Sequence, residues 1–290
     1  MKGSAPAADH AHGQWQQSWE RLRRHPGAVL SLGLLGLVLI LALLVPMLSR
    51  FDYATPDWDA MYQTPGWTHL LGTDGMGRDL LVRVMWGCRV SLLVGVAASL
   101  VSVLIGVLWG AVAGYTGGAT DAFMMRIVDI LYTVPFIPLV IVLTVLFGRS
   151  FLLVFVAIGV VSWLDIARIV RGQTLSLKQR EFIEAATALG LSTHTMIVRH
   201  LVPNLLGIVI IYATLTIPAV ILFEAFLSFL GLGVHAPLAS LGSLVSDGAN
   251  HLQSHPHLLV VPAIFLVLII CAFSYLGDGL RDALDPRERR

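Results

Sequence analysis

The sequence predicts an all-α polytopic membrane protein with six transmembrane helices. Two observations carry this reading. Hydrophobic residues make up 56% of the 290 residues and charged ones only 13%, against about 25% charged in a soluble domain. Apolar runs of about 20 residues recur along the chain, long enough to cross a ~30 Å hydrocarbon core as helices. Disordered, fibrous and disulfide-stapled classes are excluded by the same composition. The formal net charge of +1 says little, because in such a chain the position of each charge matters more than the sum.

A polar tail, residues 1–27, precedes the membrane domain, residues 28–290. The tail holds a His10-Ala11-His12 cluster and is expected to be disordered. Arg21, Arg23 and Arg24 then lead into an apolar run at 28–48. This has the look of a secretory signal, but it exceeds the typical ~7–15-residue signal core and no small-x-small cleavage site follows it. It is read as a retained first span. Further spans are expected at 90–112, 127–147, 151–170, 205–229 and 258–276. Gly148-Arg149-Ser150 is a turn short enough to make the third and fourth a helical hairpin. Pro135, Pro138 and Pro218 lie within spans, where membrane helices tolerate proline.

Positive charge orients this arrangement. With both termini cytoplasmic, Arg50, Arg78, Arg83, Arg89 and Arg149 lie outside, leaving 14 of the 19 Lys and Arg inside. That asymmetry fits the positive-inside rule and an even number of spans. Cys88 and Cys271 are far apart and outside any CxxC, so both are read as buried neutral thiols.

Two loops are long enough to act. The external segment from Ser49 to Arg89 is acidic and aromatic at first, then reads Gly72-Thr73-Asp74-Gly75-Met76-Gly77-Arg78-Asp79. Its glycines predict a tight turn and its aspartates a helix cap. Residues 78–89 are expected to form an amphipathic helix at the membrane surface, with Leu80, Leu81, Val84, Met85 and Cys88 on one face and Arg78 and Arg83 elsewhere. The cytoplasmic segment 171–204 predicts two short helices joined at a glycine. Phe182, Ile183, Ala186 and Leu189 make an apolar stripe, and Gly190 is placed as a left-handed C-cap. Ser192 then caps a second helix, Thr193 to Leu201, before Pro203-Asn204 starts the fifth span. This is a compact docking element: small alanines admit another surface, and Glu184 offers a charge across the contact.

No GxxxxGK[ST] phosphate loop, HExxH or GxSxG elbow occurs, so the chain reads as a conduit or scaffold. Ionisable residues inside spans are functional candidates by default. Asp129 and Glu224 are candidates for a hydrophilic translocation path, with structural pairing or an interfacial position as the open alternative. Asp165 and Arg168, three apart, are expected to pair with each other. His251, His255 and His257 sit in an external loop, read as solvated in preference to a nickel or zinc relay.

The segment EFIEAATALGLSTHTMIVRHLVPN resembles the EAA loop of ABC-importer membrane subunits. LLGTDGMGRDLLVRV, FLSFLGLGV at 226–234 and LGDGLRDALDPR extend the likeness over nearly the whole chain, to the C-type permease of the peptide/nickel importer family. SWLDIARIVRGQTLSLKQREFIEAA and PLASLGSLVSDGAN resemble its oligopeptide branch most. The resemblance implies a permease in a bacterial cytoplasmic membrane, working with a second permease subunit, two cytoplasmic ATPases and an external substrate-binding protein. ATP and Mg would sit on the ATPases, with no cofactor on this chain and no nucleic-acid partner. Glu184, Ala185, Ala186 and Gly190 would then form the ATPase-coupling helix and its turn, and His200, Pro203 and Asn204 its join to the fifth span. The family's external SWG reads Ser240-Leu241-Gly242 here, so an aromatic belt contact is expected to be missing. Rival readings are dipeptide or nickel import by the same machine, or a stand-alone proton-coupled secondary transporter. The last predicts an internal inverted repeat, and none is evident.

Overall fold

The structure, a computed structural model, describes residues 7–147, 151–234 and 236–284. The Gly148-Arg149-Ser150 turn, the end of the C-terminal motif and the His10 and His12 side chains lie outside the described residues. Helices α1 (Ala7–Arg24), α2 (Pro26–Leu48), α3 (Leu80–Thr116), α4 (Gly118–Thr133), α5 (Phe136–Phe147) and α6 (Phe151–Lys178) are followed by α7 (Glu181–Ala188) and a one-turn α8 (Thr193–Thr195). A π-turn (Met196–Leu201) leads into α9 (Val202–Phe229), then α10 (Leu241–Ala249) and α11 (His257–Leu284) complete the chain. The tail expected to be disordered is therefore helical as α1, and Leu22 of α1 packs on Ala28 and Ala283.

The six expected spans fall on α2, α3, α4–α5, α6, α9 and α11. Among the described residues, α2, α3, Thr193–Phe229 and α11 are long and apolar enough to cross a membrane. The third expected span is not straight: α4 and α5 meet at a 76° bend. The break lies at Val134-Pro135, where the proline forces Val134 into extended backbone (φ −71°, ψ 120°).

Helix α3 begins ten residues earlier than the expected second span. The stretch expected to lie on the membrane surface is its first turns, and these are buried, with Leu80, Val84, Met85, Cys88 and also Arg83 inside. The reason is tertiary: segment 49–79 and α10 wrap both sides of it, and Tyr53 stacks on Trp86 with centroids 3.9 Å apart. Cys271, expected inside, is exposed.

Backbone polar groups freed inside apolar helices find partners. Pro46 in α2 lacks the N–H that would bond the Ala42 carbonyl. Arg89 of α3 donates to that carbonyl instead, at 2.8 Å. Helices α3 and α6 pack closely through Gly106, Gly110 and Gly114. A Cβ on Gly110 would collide with the Ala167 carbonyl oxygen, which is the small-xxx-small route to tight helix pairing.

Two ends of the bundle result. At one, α7 and the π-turn pack on α3, α6 and α9 around Ile183, Met196, Leu201 and Ile166. At the other, α10 packs among α2, α3, α9 and α11 around Leu241, Leu244, Met85 and Ile221.

Candidate functional site

The α7 end is built as the sequence implies, with two differences. Glu181 and Glu184 occupy the first turn of α7, where the helix dipole favours acids. The helix closes in a Schellman motif: Gly190 N–H donates to Thr187 O (3.0 Å) and Leu191 N–H to Ala186 O (3.4 Å). Gly190 adopts φ +74°, a left-handed conformation that costs any residue with a Cβ. Of the expected apolar stripe, only Ile183 and Ala186 turn inward, onto Met196 and Ile197. Phe182 is 43% exposed and Leu189 82% exposed, and Ala185 and Ala188 are exposed beside them. Glu184 is exposed too and makes no ion pair among the described residues. The outer face of α7 is thus an uncovered apolar patch with two exposed acids, Glu181 and Glu184, in its first turn.

The second short helix does not exist as a separate element. Ser192 caps its start, accepting from Thr195 N at 3.3 Å, but the chain then runs on as one 37-residue helix, Thr193–Phe229. The motif residues shape this join. Pro203 cannot donate a backbone bond, and the preceding turn widens, with Val202 N–H reaching Ile197 O. Asn204 Nδ2 donates to the His200 carbonyl at 2.6 Å, supplying a polar partner where the ladder is disturbed.

Charged side chains form a ladder between α4 and α6. Arg171 grips Asp121 with two bonds (2.6 and 2.7 Å). Arg168 donates to Asp129 at 2.8 Å, and the Tyr132 hydroxyl donates to Asp165. The expected Asp165–Arg168 pair is therefore absent: both side chains face α4, where each finds a better-aimed partner across the helix contact. Asp129 and Arg168 keep 53% and 44% of their side chains exposed, so this pair lies at the surface of the bundle.

Glu224 is the opposite case, with 0% exposure. Its carboxylate accepts from Ser240 Oγ (2.6 Å) and Ser228 Oγ (2.8 Å), and Ser91 Oγ lies at 3.5 Å. Of the two readings open for Glu224, burial within this chain favours structural pairing. The three serines were not singled out from the sequence. Ser228 lies one turn from Glu224 and Ser240 precedes a helix with a serine three positions on, which are the signals available.

At the α10 end, Asp79 caps α3 by accepting from Val82 N (3.0 Å) and bonds His69 (2.9 Å). Asp74 holds Arg78 (2.8 Å) and Arg83 (3.2 Å). Burial pushes the Asp247 carboxyl above its ordinary range, with Arg83 and Arg78 opposing. His251 and His255 pack on Tyr62 and His257 stands edge-on to His255, so all three are half-buried instead of solvated. Tyr62 stacks on His255 at 4.5 Å and its hydroxyl lies 3.0 Å from His251 Nε2. His251 Nδ1 donates to the Asp247 carbonyl (3.0 Å), so Nε2 is the acceptor for Tyr62. Among the described residues no three His, Cys, Asp or Glu side chains converge on a metal-sized site. Leu241, where the family motif has tryptophan, is fully buried in the core. At this position the side chain packs inside and does not belong to a surface belt.

Comparison with known proteins agrees with this architecture. Residues 106–290 match the family described as the inner membrane component of binding-protein-dependent transport systems. Residues 13–65 match the N-terminal TM domain of oligopeptide transport permease C. The chain is 54% identical to the oligopeptide transport system permease protein OppC of Escherichia coli K12, covering 95% of this chain and 92% of that one. It is 50% identical to OppC of Haemophilus influenzae, over 95% and 89%. It is 44% identical to the dipeptide permease DppC of Bacillus subtilis, over 95% and 86%. Among solved structures, the MetNI methionine ABC transporter in an inward-facing conformation aligns with TM-score 0.54 at 20% identity, over 69% of this chain and 94% of that one, a likeness of fold. The chain belongs to the inner-membrane components of binding-protein-dependent transport systems, and is a transport subunit, not an enzyme.

Proposed function

We propose that this chain is one of two permease subunits of an ATP-driven importer for oligopeptides in a bacterial inner membrane, with both termini in the cytoplasm. A polar tail, residues 1–27, precedes a permease domain, residues 28–290, in this reading. The observation that carries it is the α7 patch: a short capped helix at the end of the bundle, presenting Phe182, Glu184, Ala185 and Leu189 outward. Such a surface needs a partner, and in this family an ATPase subunit fits it. Glu184, Ala185 and Ala186 form the coupling helix and Gly190 its turn. His200, Pro203 and Asn204 join it to α9, so that ATP-driven movement of the loop acts directly on a membrane-crossing helix. The resemblance to OppC permeases along 95% of the chain supports peptide as cargo and an external binding protein as its donor. Asp129, half exposed beside Arg168 and Tyr132, lines the polar path between the two permeases. ATP and Mg reside on the ATPases.

Reconstitution tests this. The chain, its partner permease, the ATPases and the binding protein in proteoliposomes should take up labelled tri-alanine only with ATP, and Glu184→Lys should release the ATPases while the chain still inserts. Uptake by this chain alone without ATP would overturn the proposal in favour of a secondary carrier. The 44% identity to a dipeptide permease favours a second reading, dipeptide import, which competition between di-alanine and tri-alanine separates.

A further inference from the structure

A helix of nine residues, α10, leaves orphan N–H groups at its start, and the structure shows where they go. Ser240 Oγ accepts from Ser243 N (3.1 Å) and Ser91 Oγ accepts from Leu241 N (3.1 Å). Each hydroxyl thereby spends a lone pair on α10 and has its proton left for another acceptor. Ser240 gives that proton to Glu224 at 2.6 Å, and Ser91 lies 3.5 Å from its other oxygen. The carboxyl group offers acceptor lone pairs on two oxygens, Oε1 towards Ser228 and Ser240 and Oε2 towards Ser91, so one buried group gathers all three serines. Backbone contact tightens the joint, since a Cβ on Gly242 of α10 would collide with Ala225 of α9. Glu224 stands near the far end of the continuous helix Thr193–Phe229, whose 37 residues span about 55 Å. Its first turn is the Ser192-capped end of the α7 loop.

We infer that Glu224 is a positioning residue of the transport cycle. Through Ser240 and Ser91 it fastens the start of α10 to α9, so that displacement of the α7 loop at one end of the bundle moves α10 at the other. The inference rests on the ATPase-docking role proposed for that loop. Its own content is the route: one helix, one carboxylate and two hydroxyls connect the docking loop to the opposite face.

The experiment uses the complete transporter in proteoliposomes, with tri-alanine uptake and ATP hydrolysis measured together. A reporter Asn250→Cys at the exposed end of α10, on a Cys271→Ser background, reports α10 through a membrane-impermeant thiol reagent, with and without ATP and vanadate, which trap ADP and vanadate on the ATPases. Ser240→Ala and Glu224→Gln should keep ATPase binding and ATP hydrolysis, lower uptake per ATP by about tenfold, the scale of one lost hydrogen bond, and flatten the state dependence of labelling. Ser228→Ala is the control. It removes a donor to the same carboxylate from within α9 and should leave uptake per ATP unchanged. Wild-type uptake per ATP in Ser240→Ala overturns the inference, as does Ser228→Ala uncoupling equally, or hydrolysis and uptake falling in parallel in an assembled complex. Failure of the docking role itself is read separately, by ATPases that remain bound to Glu184→Lys.

Discussion

Two acidic side chains on different helices, Glu224 on α9 and Asp129 on α4, were equal candidates by residue type, and the fold treats them oppositely. Glu224 has no exposed surface and is surrounded by hydroxyl donors from three elements. Asp129 is about half exposed and has one partner, Arg168. Removing a buried acceptor strands its donors at roughly 1–3 kcal/mol each, whereas an exposed ion pair is worth about 0–1 kcal/mol. The first arrangement tolerates no exchange of partners and fixes elements together. The second can release either charge to water or cargo at little cost. Burial, not charge, separates the two carboxyl groups.

That contrast can be broken by a graded set of substitutions. Glu224→Leu removes the acceptor for three buried hydroxyls and should destabilise most, by roughly 3 kcal/mol or more, read as thermal unfolding in detergent. Asp121→Asn should cost less, about 1–2 kcal/mol, because Asp121 is mostly buried but its bidentate partner Arg171 is partly exposed. Asp129→Asn should move stability by under about 1 kcal/mol while altering uptake. Equal stability losses at Glu224 and Asp129 would end the distinction between them. The smallest effect is expected at Asp247. Its carboxyl is raised by burial, so the folded state holds its proton more tightly than the unfolded chain does. Stability from this group is present below the unfolded-state value and is lost as pH rises through the folded one. Asp247→Asn should therefore flatten that acidic limb of a stability–pH profile, and a wild-type-minus-variant difference that instead rises with pH across this window would contradict the assignment.

Much of the α7 loop was legible because its signals are local. Gly190 as a left-handed cap, Ser192 as an N-cap and Pro203 at the start of a helix each follow from the chemistry of one residue and its near neighbours. The exposure of Phe182 and Leu189 was not legible, since periodicity marks an apolar stripe without saying how wide a face the neighbouring helices cover. Asp165 and Arg168 show the same limit. Their spacing allows a pair on one helix, and only the position of α4 hands them to Tyr132 and Asp129.

The sequence alone determined a helical membrane protein, the approximate place of its spans and the local design of the α7 loop, because hydropathy and capping act over a few turns of one helix. Tertiary structure alone decided that α3 starts inside the protein at Leu80, that α4 and α5 bend by 76°, and that Glu224 meets Ser91 and Ser240 from 133 and 16 residues away. Those outcomes depend on which faces of distant helices meet. In an apolar environment that choice rests on close packing and on the need to satisfy every buried polar group, and neither is visible until the helices are assembled.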